Sequence, residues 1–446
     1  MPFSKTFYIE NLGCAKNQTD AEALASLLMD RGWRLTQPEE AGLIIVNTCG
    51  FIEAAKKESL AAIMDFRRAY PSKKIVAAGC LAQRYGDELF TALPEADAVF
   101  GNRTLAAVTH LAQSLEEKRV ILRPENYGDL PQKRINFSRP GSVYIKAAEG
   151  CGNHCAFCAI PLIRGPLRSR SAEELCAEIR FFLEKGVKEF NLVAQDLGSW
   201  GRDFGAAQAE RGRGAIGLAA LLRQILEIAG DFWLRLLYIH PEHFPLEVLG
   251  LCREDKRLLP YFDLPFQHAS RKILRAMGRK NSASGNLALI EKIRETLPEA
   301  VLRSTFLVGF PGETDADFEE LLRFQEEAAF DWLGAFTYSA EEGTPAEILH
   351  RKKALLVPKK TALARKKEIQ ARQEAITEKR GGRFTGITTF LLAEEKTSDQ
   401  MCLCRAWFQA PEVDGLTVLH GSAPAGTLVQ ARLLRRNGFD MEAVKI

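Results

Sequence analysis

No stretch of this 446-residue chain approaches the roughly 18–20 consecutive apolar residues that a membrane-spanning helix needs. Met1 to Asn11 carries no apolar segment long enough for a secretory signal. Charge of one sign is also missing: 60 Lys and Arg stand against 57 Asp and Glu, a formal net charge of +3. Bulk charge therefore neither nominates nor excludes a nucleic-acid partner. Cysteine is too sparse, at ten residues, for a disulfide scaffold. These absences predict a cytoplasmic protein with no membrane partner, in a reducing compartment where thiolates and metal clusters survive. What is present is ordinary for a globular chain, 46% hydrophobic and 26% charged. The length is too great for one core and predicts two to four domains.

The few cysteines are concentrated. Cys151, Cys155 and Cys158 fall within Glu149-Gly150-Cys151-Gly152-Asn153-His154-Cys155-Ala156-Phe157-Cys158, a C-x₃-C-x₂-C spacing. Grouped thiolates suit a soft metal centre. A zinc site normally takes a fourth protein ligand, and a cubane cluster usually takes four cysteines. Three thiolates on a four-iron cluster leave one iron open to a substrate or cofactor. The first reading is a catalytic iron–sulfur cluster, with a zinc knuckle as the alternative.

Residues 1–120 alternate strands and helices. Strands are predicted at Thr6–Glu10, Leu43–Asn47, Lys74–Gly79 and Ala98–Phe100, with helices over Asp20–Arg31 and Phe51–Ala69. This alternation implies a parallel sheet with crossover helices. Cys14, Cys49 and Cys80 each follow one of the first three strands, each with Gly adjacent. Open α/β sheets bind ligands at such strand ends, although three buried structural thiols would show the same pattern.

Residues 121–142, rich in proline and polar side chains, read as a linker. Over 143–350 a second strand–helix series is predicted, with strands at Val143–Ala148, Glu189–Gln195, Trp233–Ile239, Tyr261–Leu264, Leu302–Val308 and Trp332–Tyr338. Six such units resemble the partial barrel that radical S-adenosylmethionine enzymes use, and catalytic groups in such barrels collect at the carboxyl ends of the strands. The cysteine loop follows the first of them. Cys176 and Cys252 fall in helical patterns and read as core thiols. Arg202 to Gly217 reads as a loop near the active face, either touching substrate or merely solvated. Residues 351–382 form a basic connecting helix, with eight Lys and Arg against three Asp and Glu from Lys359 to Arg380. It is either a contact for ribosomal RNA phosphates or a solvated connector. Residues 383–446 turn to short β runs and predict a small antiparallel barrel. Cys402 and Cys404 alternate along one of its strands and read as packing residues.

The C-x₃-C-x₂-C loop with Phe157 before its last cysteine resembles the signature of radical S-adenosylmethionine enzymes. Leu12-Gly13-Cys14-Ala15-Lys16-Asn17, Val46-Asn47-Thr48-Cys49-Gly50-Phe51-Ile52 and Ala78-Gly79-Cys80-Leu81 look like the N-terminal domain of the methylthiotransferases within that family. The resemblance spans essentially the whole chain. It implies a four-iron cluster on Cys151, Cys155 and Cys158 that cleaves S-adenosylmethionine to a 5′-deoxyadenosyl radical. It implies an auxiliary four-iron cluster on Cys14, Cys49 and Cys80 for sulfur delivery, and an OB-like TRAM domain at residues 383–446 for substrate recognition. S-adenosylmethionine contacts are expected from Phe157, Gln195 and Arg303: Gln195 for the ribose, Arg303 for the carboxylate unless it is an ion-paired barrel residue. His240 and His268 are not assigned as bases.

The family divides between enzymes acting on a tRNA adenosine and those acting on an aspartate of small-subunit ribosomal protein number twelve. Asn47–Ile52, Leu302–Phe306 and Phe408–Gly415 resemble the second branch. Charge agrees, since residues 383–446 hold seven basic and seven acidic side chains, and a tRNA-recognition domain should be basic. Glu412 and Asp414 are expected as exposed acids facing a basic protein. The implied reaction uses two S-adenosylmethionine molecules, one to methylate a cluster-held sulfur and one to make the radical that activates the aspartate β-carbon. An electron-donor protein is the further implied partner.

Overall fold

The computed structural model describes residues 4–114, 119–123, 128, 130–131, 133–205 and 216–446. Much of the expected loop from Arg202 to Gly217, and part of the expected linker, lie outside the described residues.

The first unit is a parallel sheet in the order β2-β1-β3-β4-β5-β6. Its strands are β1 (Thr6–Asn11), β2 (Arg34–Leu35), β3 (Leu43–Thr48), β4 (Lys74–Gly79), β5 (Ala98–Phe100) and β6 (Val120–Leu122). The central strand β3 is buried along its whole length, so Leu-Ile-Ile-Val forms a strand whose two faces both pack under helices. One face joins Leu43 and Ile45 to Phe7, Leu24 and Leu28; the other joins Ile44 and Val46 to Ile63, Leu81 and Leu89. Helix α1 (Ala15–Met29) starts five residues before the expected position. Its first turns, Lys16 to Asp20, are polar yet buried, so their apolar periodicity is absent. They are buried because that end of the helix faces the second unit. Two further helices matter here: α2 (Glu53–Ala69) and α3 (Cys80–Arg84).

The chain then crosses along α1. Ile135 N donates to Ser26 Oγ at 2.9 Å, and Phe137 N to Glu22 Oε1 at 2.9 Å. The second sheet begins with β7 (Ser142–Lys146), followed by a hairpin of β8 (Ala148–Glu149) and β9 (Arg168–Ser169). It continues with β10 (Glu189–Val193), β11 (Trp233–Leu236), β12 (Leu258–Asp263), β13 (Val301–Val308) and β14 (Trp332–Thr337). The six long strands run parallel in the order β14-β13-β12-β11-β10-β7, an open partial barrel. Alternate residues, such as Val143, Phe190, Leu234, Phe262 and Phe306, pack beneath the outer helices. The intervening ones, Tyr144, Val193, Trp233, Leu259, Tyr261 and Val301, face the C-terminal unit and share one apolar cluster with it.

That unit is a closed barrel of β15 (Thr388–Ser398), β16 (Met401–Ala406), β17 (Thr417–His420), β18 (Leu428–Asn437) and β19 (Asp440–Lys445). Its pairings are antiparallel except for β17 with β19, whose parallel ladder closes the ring. Cys402 and Cys404 are fully buried inside it, as packing residues. Buried ion pairs fasten this barrel to the larger one. Glu189 of β10 accepts from Arg235 at 2.9 Å and also pairs with Arg405, which in turn meets Glu394 at 2.6 Å. Phe384 and Phe408 stack at the same junction with ring centroids 3.9 Å apart.

The basic helix runs Lys359–Gly381 after Pro358. Ala362, Arg365, Ile369, Gln373 and Thr377 are buried, so one stripe packs on the barrel. Arg365 pairs with Glu313, and Arg380 with Asp331. Part of its positive charge is thus matched within the chain, while Lys359, Lys360, Lys367 and Lys379 remain exposed.

Candidate functional site

Strands β1, β3 and β4 are neighbours, and β1 and β3 flank the point where the strand order reverses. Loops at such a switch point diverge and leave a crevice at the carboxyl ends. Cys14 sits there as the residue before α1, Cys49 follows β3, and Cys80 opens α3. The loops touch one another. A Cβ added to Gly13 would lie 3.0 Å from Cys49 Cβ, and one added to Gly50 would lie 2.8 Å from Leu81 Cα. Asn17 ties them together, donating through Nδ2 to Leu12 O at 2.9 Å and Thr48 O at 3.0 Å.

The three thiols differ in environment. Cys14 is exposed, Cys49 half-buried and Cys80 buried. Desolvation opposes ionisation of Cys14, but the charges of Lys16 and Arg164 outweigh it and hold the thiol below its ordinary range. Burial pushes Cys80 up to about 12, against the pull of Arg164. A metal-bound thiol is deprotonated outright, and Cys80 already has donors aimed at it. Arg164 Nη2 lies 3.2 Å from its sulfur and Asn102 Nδ2 3.4 Å. As a thiol Cys80 itself donates to Asn17 Oδ1 at 3.2 Å, while the two N–H donors would remain for a thiolate.

The second trio lies on the loop after β7 and β8. Gly150 adopts φ +66°, and a Cβ there would fall 2.0 Å from Pro166 O. Only glycine allows the loop to close against the Arg164–Pro166 backbone, and the closure is sealed by Cys151 N donating to Gly165 O at 3.1 Å. Further along, Ala156 N donates to Met277 O at 2.9 Å. Asn153 N donates to Cys151 Sγ at 3.4 Å. Burial raises Cys151 to about 11 and Cys158 to about 12. Phe157 packs beside Ile273, Met277 and Phe310. Among the described residues no three His, Cys, Asp or Glu side chains converge as the donors of a single metal ion.

The two trios share a seam. A short helix, α4 (Ile160–Arg164), follows Cys158 directly, and its Ile163, with Ala159, packs on Cys80. Arg164 reaches from this helix to Glu149 Oε1 at 2.7 Å, Asn17 Oδ1 at 2.7 Å and Asp20 Oδ2 at 2.9 Å. Lys146 of β7 joins the same network through Asp20 and, at 2.6 Å, Glu149. Nearby, Lys16 Nζ lies 3.4 Å above the ring of Tyr238. Tyr238 holds φ +62° just after β11, a strained setting for a non-glycine residue at the barrel mouth.

The other expected contacts separate. Gln195, after β10, has both amide atoms buried with no hydrogen-bond partner among the described residues. Arg303 is instead paired, with Nη1 3.2 Å from Asp263 Oδ1 and Nε 3.7 Å from Asp414 Oδ1. This is the ion-paired alternative. Asp414 was expected as an exposed acid, but its side chain is fully buried. It accepts from Tyr261 Oη at 2.6 Å and Ala410 N at 2.8 Å, which is why it turns inward. Glu412 is exposed as expected. His240 and His268 are driven neutral by burial, to about 4 and about 3, and His268 Nδ1 accepts from two backbone amides. Sequence reasoning missed Arg164, Asn102, His243 and Tyr238, none of which lies in a recognisable spacing pattern.

A six-stranded open parallel barrel with a C-x₃-C-x₂-C loop after its first strand defines a radical S-adenosylmethionine enzyme. Residues 145–324 match the radical SAM superfamily, residues 6–101 the uncharacterized protein family UPF0004, and residues 386–446 the TRAM domain. The methyltransferase TsrM of Kitasatospora setae shares the fold at a TM-score of 0.57 and 15% identity, each chain covered to 77%. The chain belongs to the family of the ribosomal protein uS12 methylthiotransferase RimO. It is 46% identical to the RimO of Treponema denticola, covering 97% of this chain and 99% of the relative. It is 40% identical to that of a Thermotoga species, over 97% and 98%, and 38% identical to that of Aquifex aeolicus, over 97% and 95%.

Proposed function

We propose that this chain methylthiolates the β-carbon of an aspartate in ribosomal protein uS12, using two S-adenosylmethionine molecules and two [4Fe–4S] clusters. The observation that carries this reading is the 46% identity, over nearly the full length of both chains, to an enzyme named for methylthiotransfer to uS12. In this reading Cys151, Cys155 and Cys158 hold the radical-generating cluster, and Cys14, Cys49 and Cys80 hold the auxiliary one. Clusters held by these two trios would supply an electron for S-adenosylmethionine cleavage and a site for the sulfur. The seam between the trios supports this pairing, because α4 packs directly against Cys80.

The chain's own residues then have distinct tasks. Gln195 offers its unpartnered amide to the cofactor ribose. Phe157 supplies apolar surface beside the cysteine loop. Arg303, balanced by Asp263 and Asp414, braces the barrel interior rather than meeting the cofactor carboxylate. An open cavity of about 830 Å³ borders Cys14, lined by Tyr8, Asn11, Gln18 and Arg34 of the first unit and by Glu412 of the last. The uS12 segment enters there, with the exposed Glu412 facing a basic protein. The exposed lysines of the 359–381 helix are available to ribosomal RNA when the target sits in the subunit. No described helix is long and apolar enough to cross a membrane, in keeping with work on ribosomal proteins in the cytoplasm.

The test is anaerobic reconstitution followed by incubation with S-adenosylmethionine, a reductant and either purified uS12 or tRNA. Peptide mass spectrometry should find one methylthio group on a uS12 aspartate. Modification of a tRNA adenosine with unmodified uS12 would overturn the target. About eight irons per chain are expected, and about four would remove the auxiliary cluster.

A further inference from the structure

The most unusual side chain of the seam is Arg164. It is buried to 1% exposure, belongs to the helix that follows the barrel's third cysteine, and yet directs its guanidinium into the N-terminal unit. Nη1 is held by Glu149, the residue two before Cys151. Nη2 is shared among Asn17 Oδ1, Asp20 Oδ2 and Cys80 Sγ. Asn17 in turn fixes the loops that carry Cys14 and Cys49. A buried charge of this kind persists only when it is compensated, and here a sulfur is among the compensating groups.

We propose that Arg164 is a positioning residue that sets the reduction potential of the N-terminal cluster by donating a charged hydrogen bond to the Cys80 sulfur. The proposal rests on the assignment of Cys14, Cys49 and Cys80 as ligands of that cluster. Hydrogen bonds to cluster sulfurs, together with net charge and solvent exposure, set cluster potentials. A cation 3.2 Å from one ligand sulfur stabilises the more negative, reduced state. Charge-assisted bonds are about twice as strong as neutral ones, so Arg164 outweighs Asn102, which approaches the same sulfur at 3.4 Å. Because Arg164 is carried by the barrel, the contact also makes the N-terminal site depend on the seating of the radical site's own loop. The sulfur-delivery cluster is then tuned only when the two units are docked.

The experiment uses the full chain with Cys151, Cys155 and Cys158 replaced by Ala, so that only the N-terminal trio can hold iron. Midpoint potentials are measured by EPR-monitored redox titration with Arg164, R164K, R164M and N102A in that background. R164M should retain about four irons and shift the midpoint negative. Each tenfold loss in reduction equilibrium is about 59 mV for one electron. R164K should shift it less, and N102A should shift it in the same direction by a smaller amount. In the converse background, with Cys14, Cys49 and Cys80 replaced, R164M should leave the barrel cluster's midpoint in place. A merely structural arginine would move both clusters or neither. An unmoved midpoint in R164M with iron retained overturns the proposal alone. No iron in the parent background overturns the ligand assignment itself, and the proposal falls with it. Should R164M fail to fold, R164Q takes its place, and an unmoved midpoint with iron retained again overturns the proposal.

Discussion

Asp196 Oδ2 accepts a hydrogen bond from Asn153 Nδ2 at 2.8 Å, joining the end of β10 to the cysteine loop that follows β7. The same carboxylate accepts from Ser199 Oγ at 2.6 Å, His240 N at 3.0 Å and His243 Nδ1 at 2.5 Å. Burial opposes its charge, but these donors outweigh it and hold Asp196 well below the usual carboxylate range. The cysteine loop needs such an anchor, because Gly152 and His154 are exposed and contribute little packing.

Asp196→Ala should therefore loosen the barrel cluster without unfolding the chain. Partners that orient metal ligands typically account for about 10–100-fold in affinity or activity. With Cys14, Cys49 and Cys80 replaced by Ala, iron per chain should fall below about four and the EPR signal of the remainder should broaden. Full retention of iron with an unchanged spectrum would show that Asn153 does not need this anchor.

Gly150→Ala should have a sharper effect on the same loop. A methyl group 2.0 Å from Pro166 O cannot be accommodated by a side-chain adjustment, because the obstacle is backbone, and φ +66° is itself unfavourable for alanine. Iron counting is expected to show loss of the barrel cluster while the N-terminal cluster stays. Since the Gly150 turn also seats Arg164, the midpoint of that remaining cluster should shift as well.

Strands built from continuous apolar runs were legible from sequence: Lys74–Gly79 and Ala98–Phe100 were predicted to the residue. Hidden elements lacked that signature. β19, Asp440–Lys445, is half acidic or basic and belongs to the ring only through its partners β17 and β18. The start of α1 was hidden because its polar residues are buried against the other unit, where amphipathic periodicity fails. The C-x₃-C-x₂-C loop stood out by its spacing, and Cys14, Cys49 and Cys80 by their place after successive strands, whose loops do meet. Arg164 was not, since Asn17, Asp20 and Cys80 are remote in sequence and become neighbours only when the units dock. Asp414 was misplaced outward because its partners Tyr261 and Arg303 lie on another unit.

The ion pairs that fasten the C-terminal barrel predict a pH dependence. Burial disfavours the Glu189 charge, and Arg405 and Arg235 outweigh it, holding the carboxyl far below its ordinary value of 4.5. A depressed carboxyl contributes its full stabilisation above that ordinary value and loses it as pH falls toward the depressed one. The melting temperature of the full chain should therefore drop progressively below about pH 4.5, and less steeply in Glu189→Gln. At neutral pH that substitution should cost about 3–5 kcal/mol, because it leaves Arg235 and Arg405 buried without their shared carboxylate. Calorimetry at pH 7 and across pH 3–5, roughly the span of ordinary carboxyl titration, checks both. A variant as stable as the parent at pH 7 would place the fastening in the apolar contacts alone.

Gln195 sets stability against cofactor binding. Both its amide atoms are buried without partners among the described residues, and each such group costs about 1–3 kcal/mol. A ligand that satisfies them recovers that cost on binding, so the proposed ribose contact is favoured by the vacancy of its partners. Gln195→Met keeps the side-chain length and removes both unsatisfied atoms. The cofactor-free variant should melt higher than the parent, since an apolar group replaces two buried polar atoms that lack described partners. Its affinity for S-adenosylmethionine should fall roughly tenfold, which corresponds to about 1.4 kcal/mol. Titration calorimetry on the anaerobically reconstituted protein measures the second effect, and thermal unfolding of the untreated chain measures the first. If the variant melted lower and bound the cofactor as tightly as the parent, Gln195 would be a structural residue whose partners are supplied within the protein, and the ribose would have to be held by another group at the barrel mouth.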